Sequence, residues 1–73
     1  MTEQEFIDAF ADLVEAEEPE SLSLDTRFRE LDEWSSLAGL SVLEYVEKNF
    51  GKKIEVPVFK QQRTIGDLYR LIG

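Results

Sequence analysis

Apolar residues recur along this chain at helical spacing. Phe6, Ile7, Phe10, Leu13 and Val14 share one face, and Thr2 with Glu5 forms a capping-box start ahead of them. The pattern predicts a first helix over 3–16. It predicts a second over 36–50, with Leu37, Leu40, Leu43, Val46 and Phe50 as the buried stripe, widened by Val42. Gly51 suits the left-handed position beyond that helix, and Lys48 sits favourably in its last turn. Thr64 and Asp67 repeat the capping-box pattern before a final helix whose apolar face is Ile65, Leu68, Leu71 and Ile72. Pro57 interrupts the alternation of Ile54, Val56 and Val58, so residues 52–57 read as an extended loop covering the core, and 58–62 as a short third helix. The expected fold is all-α: a single domain over 1–73, a small three- to four-helix bundle with a long first loop.

That first loop spans 17–33. Connections of this length are uncommon in compact domains unless functional or anchored. Leu22, Leu24, Phe28 and Leu31 supply anchors, and their spacing allows a helical turn after Asp25. Gly39 stands out within the second helix, where glycine costs ~1 kcal/mol relative to alanine. It reads either as a tolerated exposed glycine or as a point where a partner approaches closely.

Composition narrows the function. Seventy-three residues make one small domain that buries roughly 60% of its unfolded surface. No stretch reaches the ~20 apolar residues of a membrane span, and the acidic N-terminus matches neither a secretory signal nor a transit peptide. A cytoplasmic, monomeric protein is the expectation. With no Cys and no His, there is no thiolate nucleophile, no Ser-His-Asp machinery and no ordinary zinc or haem site. Neither a metal site nor a catalytic residue is assigned, and the chain is expected to carry or bind something rather than transform it. A net charge of −8 argues against nucleic acid. Residues 1–26 hold nine acids and no base, while 27–73 hold all eight bases and seven acids. The acidic segment reads equally as a solvated helix face or as a flank that steers basic partners.

The most informative stretch is Leu31-Asp32-Glu33-Trp34-Ser35-Ser36-Leu37, which runs straight into the second helical pattern. A serine at a helix start can act as its N-cap, and a phosphate there meets first-turn N–H groups and the favourable end of the helix dipole. Trp34-Ser35-Ser36-Leu37 resembles the Trp-Asp-Ser-Leu signature of the acyl and peptidyl carrier proteins. The resemblance extends to residues 24–31, to the helix end at Glu47–Gly51, to Ile54–Pro57 and to Thr64–Leu68, in the family's order and spacing. It implies that Ser36, in register with Leu37, bears a covalent 4′-phosphopantetheine arm donated by coenzyme A. Ser35 is the less favoured alternative, and it replaces the aspartate that normally helps the modifying transferase to dock.

The resemblance further implies a non-catalytic carrier of acyl, aminoacyl or peptidyl thioesters. Its partners would be a phosphopantetheinyl transferase and the enzymes that load and process the cargo. Their recognition surface is expected on the exposed face of the second helix, with Trp34, Leu37, Ala38, Ser41, Glu44 and Glu47 as its residues. That face is often strongly acidic in the family. Here it is mixed, which favours a dedicated polyketide-like or peptide-synthetase-like pathway over general fatty-acid synthesis. Trp34 also reads as packing beneath a helix start. The alternatives are a carrier-like interaction domain that is never modified, and a generic acidic helical adaptor.

Overall fold

The computed structural model describes residues 2–72. Four helices follow in order: α1 (Glu3–Val14), α2 (Ser36–Phe50), α3 (Val56–Gln61) and α4 (Ile65–Ile72). The long first connection carries two single 3₁₀ turns, Pro19–Ser21 and Phe28–Glu30. The fold is all-α, and the second of those turns lies after Asp25 as the spacing predicts.

α1 begins with the expected capping box. The Thr2 hydroxyl accepts from the Glu5 N–H at 3.1 Å, and the Glu5 carboxylate accepts from the Thr2 N–H at 2.7 Å. Phe6, Ile7, Phe10, Ala11 and Val14 are buried. The helix stops at Val14 rather than at 16, because Glu15 turns left-handed (φ 55°). The Glu15 and Ala16 N–H groups then bond back to Asp12 O and Ala11 O, a Schellman closure made without the usual glycine.

α2 has the predicted bounds and ends as predicted at Gly51 (φ 66°), whose N–H reaches Glu47 O at 3.0 Å. Its buried stripe, however, is only partly the predicted one: Val42 and Val46 are buried and Leu43 and Phe50 pack against the core, but the first turns face differently. Ala38, Gly39, Val42 and Val46 are buried, whereas Leu37 and Leu40 are 74% and 55% exposed. The cause lies in the connection before the helix. Phe28, fully buried, sits at the centre of an aromatic cluster with Phe10, Trp34 and Phe59, at centroid distances of 5.7, 4.8 and 5.8 Å. A Cβ on Gly39 would lie 3.3 Å from Trp34 Cζ2 and 3.7 Å from a Phe59 ring carbon. Small residues at 38 and 39 therefore let α2 settle directly on the rings, which turns the flanking leucines outward. Gly39 is buried rather than exposed, and it makes room for Trp34 at the floor of the space between α2 and α3.

α3 starts two residues earlier than predicted. Pro57 lies in its first turn, where a missing N–H costs nothing, so the proline opens a helix rather than prolonging the loop. α4 begins as predicted. The Asp67 N–H reaches the Thr64 hydroxyl at 3.0 Å, and the Asp67 carboxylate accepts from the N–H groups of Thr64 and Arg63. The connection is tied to this helix start: Ile65 N–H donates to Thr26 O and Gly66 N–H to Leu24 O, at 3.1 and 2.8 Å. Arg29 holds the neighbouring corner. Its guanidinium donates to Phe59 O at 2.7 Å and to Gln62 O, and lies over the Phe28 and Phe59 rings. It thereby adds a second donor to Phe59 O, which also accepts the Gln62 N–H, and satisfies Gln62 O just beyond α3.

Candidate functional site at the start of α2

Two hydroxyls open α2, and the structure distinguishes them. Ser35 is the N-cap, with extended backbone, and its hydroxyl accepts the Ala38 N–H at 3.2 Å. Ser36 is the first helical residue, in keeping with the predicted span, and so is not itself the cap that a serine at a helix start can be. The Ser36 side chain is exposed, and its hydroxyl makes no hydrogen bond among the described residues. With the Ala38 N–H taken by Ser35 Oγ and the Gly39 N–H by Ser35 O, the N–H groups of Ser36 and Leu37 have no intrahelical partner. The first turn of α2 contains no acidic residue. Negative charge is favoured at this position, and no side chain of the turn supplies it.

The acids just before the helix are differently engaged. Glu33 accepts the Glu17 N–H at 3.1 Å and so staples the end of α1 to the start of α2. That bond, together with its own backbone N–H, holds the Glu33 carboxyl below the usual range. Asp32 remains exposed.

Beside the serines runs an open groove of about 610 Å³ between α2 and α3, lined by Trp34, Ser36, Leu40, Leu43, Val56 and Phe59, with Arg29 and Lys60. Among the expected recognition residues, Leu37, Glu44 and Glu47 are exposed and Ser41 is half-buried. Ala38 is buried in the core and cannot present a surface. Trp34 is half-buried, its ring stacked parallel to Phe10 at 6.1 Å; it shapes the groove mainly from beneath. Leu40, Val56, Phe59, Lys60 and Arg29 were not anticipated at the site. Periodicity had assigned Leu40 to the core, and the small pair Ala38-Gly39 was the signal that the helix is rotated.

The residue set suits a phosphodiester. It offers an exposed, uncommitted hydroxyl, free N–H groups beside it, no competing carboxylate in the turn, and an apolar groove alongside. A family model for the phosphopantetheine attachment site matches residues 4–72. The chain belongs to this carrier family. No curated protein gives a significant match. As a member, the domain is an attachment site for covalent 4′-phosphopantetheine, and carriers of this family generally work through transferases and processing enzymes rather than by catalysis of their own. No helix among the described residues is long and apolar enough to cross a membrane.

Proposed function

We propose that Ser36 bears the arm and that the domain carries acyl, aminoacyl or peptidyl groups as thioesters on it. The observation behind this reading is the contrast within the serine pair: the Ser35 hydroxyl is held in the cap, while that of Ser36 is exposed and uncommitted. In the transfer, the Ser36 oxygen forms the new P–O bond, the P–O bond to the nucleotide part of coenzyme A breaks, and the hydroxyl proton passes to a base of the transferase. The arm's thiol supplies the thioester. The chain's own part is to hold the phosphodiester at the favourable end of α2 and to present the face that partners read.

The pathway we favour is a dedicated one, polyketide-like or peptide-synthetase-like, in the cytoplasm. The exposed start of α2 supports this, since it presents Leu37 and Leu40, with half-buried Ser41 beside them, instead of a row of acids. Incubation with coenzyme A and a broad-specificity transferase is expected to add one phosphopantetheinyl mass. Ser36→Ala should abolish the addition and Ser35→Ala retain it. The reverse pattern moves the site to Ser35, and no addition with several transferases returns the chain to an unmodified interaction domain.

A further inference from the structure

Leu37, Leu40, Val56 and Val58, the large apolar residues exposed among the described part of the chain, all lie on α2 or α3. Contiguous exposed apolar surface on a small domain marks an interaction face. Of these four, Leu40 and Val56 line the groove between α2 and α3, and the charge there is of one sign. Arg29 and Lys60 line the groove and no carboxylate does. Arg29 also borders an adjoining concavity with Arg27, Arg63 and Glu30. Four of the chain's eight basic residues thus gather beside the groove of a protein whose net charge is −8. Arg27 pairs with Glu30 at 3.6 Å, whereas Arg29, Lys60 and Arg63 form no ion pair among the described residues. The carbonyls that fix Arg29 are neutral, so they position its charge without cancelling it. Across the serine pair the sign changes: Ser35 also borders a concavity that contains Asp12, Glu15 and Glu33.

We propose that the α2–α3 groove docks partner proteins through an apolar protrusion flanked by carboxylates, the opposite polarity to that suggested by the chain's net charge. This rests on the carrier reading, because the groove matters to partners only if Ser36 bears the arm. Charge complementarity selects the occupant: a basic protrusion would set like charges against Arg29 and Lys60, and like-charge contacts reject partners. The acids on the far side of Ser35 then orient a partner whose own charge is divided in the same way.

The test uses the unmodified protein and two helical peptides with identical apolar anchors at i, i+3, i+4 and i+7, one flanked by Glu and the other by Lys. Trp34, the single tryptophan, lines the groove and reports binding by fluorescence; amide shifts in NMR locate it. The Glu peptide is expected to bind about tenfold more tightly at low salt, with the ratio approaching one at about 0.5 M NaCl. Lys60→Glu, at an exposed position, should erase or reverse the preference with an unchanged circular dichroism spectrum. Equal binding, tighter binding of the Lys peptide, or no binding of either overturns the proposal. So does self-association that Lys60→Glu abolishes, which would give the groove to a second copy. Shifts at Lys60 on loading a carboxylate-bearing acyl group, but not an uncharged one, would give it to the cargo. Because the peptides are read on unmodified protein, failure here leaves the mass test of Ser36 untouched.

Discussion

The starts of α2 and α4 are built from the same chemistry and finished differently. Each has a hydroxyl cap accepting the N–H three residues on: Ser35 from Ala38, and Thr64 from Asp67. At α4 the third helical residue is an aspartate whose carboxylate answers Thr64 and Arg63 and also meets Arg70 at 2.8 Å. Carbonyls of Thr26 and Leu24 take the Ile65 and Gly66 N–H groups. At α2 the corresponding residue is Ala38, no acid lies in the turn, and the Ser36 and Leu37 N–H groups have no intrahelical partner. α1 follows the closed pattern of α4, with Glu5 answering Thr2. The closed starts hold the fold together. The open one leaves room for a negative charge that the chain itself does not provide.

The two starts also differ in how tightly the surroundings close on a glycine, and this separates them most strongly. A Cβ on Gly66 would lie 2.9 Å from Leu24 O, a backbone atom fixed by its bond to Gly66 N–H. Gly66→Ala is expected to destabilise the domain by about 2 kcal/mol or more, with loss of the loop-to-α4 bonds. Gly39→Ala meets only ring carbons of Trp34 and Phe59, which can shift slightly, and it gains helix propensity. It should stay within about 1 kcal/mol of wild type while changing Trp34 fluorescence. Urea titration measures both, and equal costs would erase the distinction.

Removing the caps should give the next largest effect. Thr64→Ala strips a reciprocal box and is expected to cost about 1–2 kcal/mol; Ser35→Ala removes one bond and should cost about 0.5–1 kcal/mol. Equal or inverted costs in chemical denaturation would show that the α2 start is as fully closed as that of α4.

Acid should act on the closed starts selectively. Backbone N–H bonds from Arg63, the Arg70 side chain and the Thr64 N–H hold the Asp67 carboxyl down at about 2. Because its folded value lies below its unfolded one, its contribution is complete above about pH 4 and is lost as the pH falls through about 2. Glu5 is lowered in the same direction by its bonds to Thr2. Asp67→Asn is therefore expected to be less stable than wild type at pH 7 and to lose less stability between pH 4 and 2. An unaltered acid limb in thermal melts would sink this assignment.

The smallest effect concerns the opposite end of α1. Negative charge that helps a helix start opposes its end, and Asp12 and Glu15 lie there with no base in the last turn. Asp12→Lys is expected to stabilise by a few tenths of a kcal/mol at low salt and by less at high salt. The wild-type melting temperature should rise from low to moderate NaCl. A flat or falling melting temperature would mean that these acids are already neutralised in the fold.

Local chemistry was legible in the chain itself. The hydroxyl caps at Thr2 and Thr64, the span of α2 and its glycine stop, the apolar faces of α1 and α4, and the serine pair before Leu37 all follow from interactions within a few residues. Pro57 was misread because a proline can end a loop or open a helix, and neighbours along the chain do not decide between them. The rotation of α2 was decided only in three dimensions. Leu37 and Leu40 outweigh Ala38 and Gly39 in any count of hydrophobic spacing, yet Trp34 and Phe28, delivered by the long connection, accept only the small residues. Arg29 was equally hidden, since the carbonyls it holds lie 30 and 33 residues away. Burial is settled by which surfaces meet across the bundle, so the sequence alone pointed to a serine at the start of α2, and the fold decided what stands beside it.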